Sequence, residues 1–248
     1  MLKDMSEISG IIISLVAMFI PILVGGTIIY IIVQAIKNKD NKNTKFKLSA
    51  KTLFQVYLYL IAFLTLIISL IGGATAIKAA LSYQFGIPFS YTLYKGSSFA
   101  ETKMYDPTLD PETFKVCQEG EPITIGSSEY CINYQQQTTD LVNGLTIFAS
   151  MLILFAIHQF AISRINQKDK LQWLEKVYTF ASLIVYSVIG LIAIPTSIYQ
   201  LTNYLITKPE NYSYSTPEAP AMAIAVVVLS LPLWIYFLGK TSNLKDED

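Results

Sequence analysis

The chain has 248 residues, of which 52% are hydrophobic and 15% charged, and its 18 basic and 18 acidic side chains cancel. A zero net charge gives no general signal for binding nucleic acid or another polyanion. Several apolar runs exceed 20 residues, which is enough to cross a hydrocarbon layer of about 30 Å, so the soluble globular class is excluded. The sequence therefore predicts an integral membrane protein.

Five apolar segments follow one another along the chain, and each is predicted to be a transmembrane helix. Together they predict an all-α polytopic fold. The first segment begins after an acidic rather than a basic start, and no small-residue cleavage site follows it. It is therefore interpreted as a retained anchor helix within residues 1–36, and not as a signal peptide. The five segments are residues 8–36, 53–82, 141–163, 177–206 and 220–239.

The distribution of lysines predicts the orientation in the membrane. Residues 37–52 carry six lysines and one aspartate, and positively charged loops stay in the cytoplasm. With this loop inside, the N-terminus lies outside, and the segments 84–138 and 207–219 lie outside as well. The loop 164–176 and the tail 240–248 are then cytoplasmic.

The second apolar segment has a diverged copy later in the chain. Residues 56–83 and 177–204 align without a gap and match at eight of 28 positions. This match predicts an internal repeat of two helical hairpins, 53–163 and 177–239, related by an axis along the membrane normal.

Small residues recur on one face of each copy of the repeat. Such residues let helix backbones approach closely in a membrane. This pattern favours packing within the chain, with a seam between two copies of the chain as the alternative. The residues are Ser69, Gly72, Gly73 and Ala76 in the first copy, and Gly190 and Ala193 in the second.

The 55 residues of the segment 84–138 are polar and predict a small extracytoplasmic domain. The stretches FKVC, ITI and EYCINY favour short strands, with a turn at 126–128 between the last two. Cys117 and Cys131 lie in this segment, where oxidation is allowed. A disulfide between them would close a ring of about 15 residues and contribute ~3 kcal/mol. Two free thiols are the alternative.

Two further polar positions lie at the predicted outer membrane edge. Lys78 lies inside an apolar run, and Asp140 precedes the third predicted helix, for which Thr139 and Asp140 are candidate N-caps. If the two helices form an antiparallel hairpin, these side chains fall near one another. We therefore expect an ion pair, with snorkelling of the lysine to lipid headgroups as the alternative.

The sequence contains one weak candidate for a functional side chain, His158. His158 is the only histidine, which excludes a multi-histidine metal site within one chain. A hydrogen-bonded structural imidazole is the favoured interpretation, with proton transfer and haem or metal ligation as alternatives. No catalytic motif, cofactor motif or carboxylate in the middle of an apolar helix is present. The expectation is a protein that is not an enzyme and binds no cofactor.

The last apolar segment contains Ser230, Pro232 and Trp234 in the order Ser-Leu-Pro-Leu-Trp. In this motif, of the form G/S-x-P-x-W/F, and in its polar-flanked hairpins, the chain over 53–240 resembles an uncharacterised family of small bacterial four-helix membrane proteins defined by a domain of unknown function. The N-terminal helix and the cysteine-containing loop depart from that pattern. The resemblance implies a bacterial membrane protein and supplies no catalytic residue.

These features together favour a scaffold or assembly subunit of a cell-envelope complex. Its partners would be the lipid bilayer and a membrane or envelope protein that binds the outer loop, with no nucleic acid; oligomerisation is left open. The alternative is a transporter or channel subunit, which the repeat and the prolines within the apolar segments favour.

Overall fold

The structure is a computed structural model, and it describes residues 50–95, 117, 120–126, 128–166, 168, 170–207 and 215–243. The chain divides into two compact units, Met1–Leu53 and Phe54–Asp248, and nearly all described residues belong to the second. The predicted anchor helix in residues 1–36, and the lysine-rich loop 37–52 apart from its last three residues, lie outside the described residues.

Four of the described helices are long and apolar enough to span a membrane. A fifth, α2 (Ile87–Ser90), has only four residues. The chain is therefore a multi-pass helical membrane protein, as predicted, with four candidate spans in the part that the structure describes. These spans are α1 (Ala50–Phe85), α3 (Tyr134–Ser163), α4 (Gln172–Ile206) and α5 (Ala221–Ser242).

Three of these helices begin before the apolar runs from which they were predicted, α1 by three residues, α4 by five and α3 by seven. The clearest case is α3, which starts at Tyr134 because the Asn133 side chain accepts a hydrogen bond from the Gln136 amide. The predicted N-cap at Thr139 and Asp140 is therefore wrong, since the polar first turns continue the helix beyond its apolar part. Pro195 and Pro232 both lie inside uninterrupted helices.

The long helices pair as two antiparallel hairpins, α1 with α3 and α4 with α5. In the most apolar 18-residue stretch of α1, 61% of the residues are buried, compared with 11% in α3 and 28% in each of α4 and α5. Helix α1 therefore lies at the centre, where it contacts α3 through Gly72, α4 through Tyr59 and α5 through Gly73. The pairing agrees with the predicted hairpins, whereas duplication itself stays a prediction.

A small antiparallel sheet connects α1 to α3. Its strands are β1 (Tyr94–Lys95), β2 (Glu121–Ile125) and β3 (Ser128–Ile132), in the spatial order β1-β3-β2. The predictions from ITI and EYCINY are confirmed, with Gly126 at positive φ in the turn. Cys117, the one described residue of FKVC, is not in a strand, and β1 was not predicted.

The described connections collect at two ends of the helices. The sheet and residues 215–219 lie together at one end, called the sheet end, because Leu93 and Thr216 are hydrogen-bonded. At the other end, called the Glu175 end, the start of α4 meets the end of α5 through an ion pair between Glu175 and Lys240. The described connections before α3 and α5 are therefore at one end of the helices, and the connection before α4 is at the other.

Candidate functional site

The sheet lobe, defined as residues 92–95, which include β1, together with β2, β3 and Cys117, has one apolar face. Leu93, Tyr130 and Ile132 are buried in its core, and Ile87 of α2 packs against them. Strand alternation brings Ile123 and Ile125 to the same face. The lobe therefore has a hydrophobic core of its own, which is closed from one side by the short helix that follows α1.

The opposite face of the sheet is polar and exposed. Thr124 of β2 lies directly across from Glu129 of β3, and both side chains are exposed. Pro122 and its partner Cys131 lie on the same face, because the side chains of a strand alternate between the two faces of the sheet. This outer face, whose exposed polar side chains are Thr124 and Glu129, presents a hydroxyl and a carboxylate to solvent.

The predicted disulfide between Cys117 and Cys131 is present, with the two Cα atoms 5.5 Å apart. Cys131 pairs with Pro122 on β2 and with Tyr94 on β1, so the bond ties the segment at Cys117 to the central strand. A lobe with so few core residues gains much of its stability from such a bond.

Hydrogen bonds attach the lobe to the second hairpin as well as to the first. The backbone amide of Leu93 donates to Thr216 Oγ1, and the Thr216 amide donates to the Leu93 carbonyl, each at 2.9 Å. The Ala219 amide donates to Thr92 Oγ1 at 3.4 Å, and Tyr94 forms a single bridge with Ser215. The segment that enters α5 is therefore joined to the lobe almost as an additional strand.

The predicted pair of Lys78 and Asp140 is present beneath the lobe. Lys78 Nζ lies 2.6 Å from Asp140 Oδ2, and Tyr91 donates a hydrogen bond to the same oxygen at 3.1 Å. The ammonium also lies 4.3 Å from the centroid of the Tyr91 ring, within cation–π range. Burial and the neighbouring Asp140 carboxylate raise the pKa of Tyr91, which keeps its hydroxyl protonated and able to donate.

A second polar contact lies one turn further along the same pair of helices. Gln137 Nε2 donates to Ser82 Oγ at 2.6 Å, and both side chains are buried. Ser82 Oγ in turn donates to the Ala79 carbonyl. The two contacts fix how α1 and α3 are aligned where they enter the lobe.

The small residues of α1 lie at a close helix contact, as predicted. Ser69, Gly72, Gly73 and Ala76 are all buried. A Cβ atom at Gly72 would lie 2.7 Å from the Phe148 amide nitrogen, so a larger residue would force α1 and α3 apart.

The matching residue on α3 is Gly144, which the sequence analysis did not single out. A Cβ atom there would lie 2.5 Å from the Ala76 amide nitrogen and 2.9 Å from the Gly72 carbonyl oxygen. The rule for small residues could have found it, because Gly144 lies inside an apolar segment. In α4, close packing was predicted at both Gly190 and Ala193. Ala193 is buried, but a Cβ atom at Gly190 would meet no atom of the described residues within 4 Å. The close packing predicted at Gly190 is not seen in that part of the chain.

His158 is buried within α3, and its Nδ1 atom lies 2.7 Å from the carbonyl oxygen of Leu154 in the preceding turn. Its ring centroid lies 5.8 Å from that of Tyr57. Among the described residues, no group of three or more His, Cys, Asp or Glu side chains could hold a metal ion. The geometry is that of a hydrogen-bonded structural imidazole.

The Glu175 end holds a charge cluster that the sequence analysis did not predict. Glu175 Oε2 lies 2.6 Å from Lys170 Nζ, and Glu175 Oε1 lies 3.2 Å from Lys240 Nζ. The cluster ties the loop before α4 to the last turn of α5. Lys240 could not be assigned from sequence because its distance from Glu175 in the chain gives no local signal.

No protein-family model, no curated protein and no solved structure matches this chain. Its function is therefore inferred from the geometry of its own residues.

Proposed function

We propose that the chain is a non-enzymatic scaffold or assembly subunit of a cell-envelope complex, and that the outer face of its sheet lobe binds a partner protein. The observation that carries this proposal is the double attachment of the lobe. It continues from α1 and α3 through the chain itself, and it is hydrogen-bonded to the segment entering α5 through Thr92 and Leu93. A lobe held by both hairpins keeps one orientation to the membrane, which suits a docking platform.

The chemistry of the outer face indicates the kind of partner. Glu129 is exposed there, and the whole segment 84–138 carries seven acidic side chains against three lysines. A partner with a basic surface would be steered toward this face, and its binding would weaken as salt increases. With the lysine-rich loop 37–52 inside, the lobe faces the extracytoplasmic side, where the disulfide is stable.

Purification from native membranes tests this proposal. The chain would be isolated in mild detergent as wild type, as Glu129→Lys and as the control Lys168→Glu, which reverses an exposed charge outside the lobe. We expect the wild type and the control to retain the same envelope protein, and Glu129→Lys to lose it. Retention by all three variants would contradict binding through the outer face.

A transporter or channel subunit is the second candidate. The observation in its favour is that five of the seven buried residues of α4 carry polar side chains, an arrangement common where a membrane helix lines a polar path. Flux of a polar solute through vesicles that contain only this chain would favour this function. Inert vesicles together with a lobe-dependent partner would favour the scaffold.

A further inference from the structure

Helix α4 places its polar side chains toward the protein and its apolar ones away from it. Large apolar residues on the opposite side are exposed, as expected for contact with lipid tails. The exposed residues include Val177, Phe180, Ile184, Leu191 and Ile198. The buried residues are Leu174, Tyr178, Thr179, Ser182, Tyr186, Ala193 and Gln200. The interior next to α4 is therefore polar over much of its length.

Four hydroxyl groups in this interior define the hydroxyl cluster: those of Tyr59, Thr179, Ser182 and Tyr186. Their residues are exposed by only 3%, 0%, 0% and 1%, respectively. None of the four oxygens has a hydrogen-bond partner within the part of the chain that the structure describes. Leaving a buried hydroxyl without a partner costs about 1–3 kcal/mol, so four together are a large penalty.

Aromatic contacts hold the cluster together between α1, α4 and α5. The ring centroids of Tyr59 and Tyr178 lie 5.4 Å apart. Phe237 of α5 packs against Tyr178 at 5.8 Å and against Tyr186 at 5.7 Å. Thr179 and Ser182 lie on the same buried face of α4, between those two tyrosines along the helix.

The behaviour of other hydroxyls makes the cluster distinct. The hydroxyl groups of serine and threonine in membrane helices usually donate a hydrogen bond to the backbone carbonyl three or four residues earlier. At least eleven serine and threonine side chains in the described parts of the four long helices do so: Thr65, Thr75, Ser82, Thr146, Ser150, Ser163, Ser187, Thr196, Ser197, Thr241 and Ser242. Thr179 and Ser182 do not, although the backbone of α4 offers them the same carbonyls.

One end of the cluster is close to a route to water. Glu175 and Lys240 are partly exposed at the Glu175 end, and Lys240 Nζ lies 5.7 Å from the centroid of the Tyr178 ring. From Glu175 to Tyr186 the helix rises about 16 Å, roughly half the thickness of the hydrocarbon layer. A path along this face would therefore begin at the charge cluster and end near the middle of the membrane.

We propose that the hydroxyl cluster is a hydrated site, in which water molecules enter from the Glu175 end and bind Tyr59, Thr179, Ser182 and Tyr186. Buried waters typically bind two to four polar groups that lack protein partners, which is what these hydroxyls offer. The ligand class is neutral, because no charged residue occurs in 177–206 of α4 or in 221–239 of α5 to bind an ion. This site does not depend on partner binding by the lobe.

Cysteine reactivity tests the proposal, since both native cysteines are joined in a disulfide. Ser182→Cys, Thr179→Cys and the control Ile184→Cys would each be placed in lipid nanodiscs and treated with a small water-soluble methanethiosulfonate. Ile184 lies close to Ser182 in depth but is exposed on the lipid side. We expect the two cluster cysteines to react about tenfold faster or more than the control, because the reaction needs thiolate and water. Equal rates would overturn the proposal.

Wild-type protein provides a second measurement should the variants not fold. In solid-state NMR, magnetisation would be transferred from water to tyrosine side chains in lipid bilayers. Rapid transfer to Tyr59 and Tyr186, clearly faster than to the lipid-facing Leu191, is the expected result. Transfer as slow as that to Leu191 would show that the cluster is dry.

Discussion

Lys78 Nζ lies 2.6 Å from Oδ2 of Asp140, a residue 62 positions later in the chain. This contact sets the alignment of α1 with α3 at the base of the sheet lobe. The Gln137–Ser82 hydrogen bond and the approach of Gly144 to Ala76 fit the same antiparallel alignment. The geometry of the first hairpin and the position of the lobe are thus determined together.

Coupling between Lys78 and Asp140 is the first prediction. The side chains are 18% and 22% exposed, so water screens the pair only in part. In a double-mutant cycle with Lys78→Met and Asp140→Asn we expect a coupling free energy of about 1 kcal/mol. The measurement is the free energy of unfolding in detergent. Lys168→Met, which alters an exposed lysine elsewhere, should show no coupling with Asp140→Asn, and zero coupling for both lysines would contradict the role of the pair.

Gly144→Ala is predicted to destabilise the first hairpin. The added methyl group would lie 2.5 Å from the Ala76 backbone nitrogen, so α1 and α3 must separate. Overpacking of this kind costs about 1–3 kcal/mol. The matched control is Gly190→Ala, where the methyl group meets no described atom within 4 Å. Thermal unfolding should show a lower midpoint for Gly144→Ala alone, and equal midpoints for the two variants would refute close packing at Gly144.

Loss of the disulfide is predicted to affect the lobe and leave the helices intact. The bond spans a sequence separation of 14 residues. Replacing both cysteines, as Cys117→Ser with Cys131→Ser, should therefore lower the free energy of unfolding of the lobe by about 3 kcal/mol. Hydrogen exchange should increase in β2 and β3 while the middle of α1 stays protected. Uniform loss of protection across all helices would show that the lobe and the bundle do not unfold separately.

The predicted orientation places Thr124 and Asn166 on opposite sides of the membrane, so cysteines introduced at the two positions should be labelled from opposite sides. Thr124 lies in the lobe and Asn166 in the connection between α3 and α4, and both are exposed. A membrane-impermeant thiol reagent should label Thr124→Cys in intact cells and Asn166→Cys only after the membrane is opened. The opposite result would reverse the orientation that the lysines of the loop 37–52 predict.

Local and short-range patterns in the sequence predicted much of this fold. The four described spans follow from apolar length, and the disulfide follows from the presence of Cys117 and Cys131 in one polar segment. The pairing of Lys78 with Asp140 was predictable because an antiparallel hairpin brings the ends of its helices together. The first residues of the helices were less well predicted, because polar first turns such as that after Asn133 remain helical outside the apolar run.

Features that depend on contacts between distant segments were missed. Strand β1 has only two residues and forms through pairing with β3, so its own sequence carries little signal. The hydroxyl cluster was missed for a similar reason. Apolar runs do not reveal which side of α4 faces α1 and α5, and only the packed helices show that Thr179 and Ser182 point inward.

The most direct test of the scaffold proposal is photo-crosslinking from the outer face of the lobe in intact cells. A photoreactive amino acid at Thr124 would lie beside Glu129 on that face, and the same probe at Asn166 would serve as the control. The proposal predicts one discrete adduct with an envelope protein from Thr124, weakened by added salt, and none of the same mass from Asn166. The absence of an adduct from Thr124, or identical adducts from both positions, would contradict it.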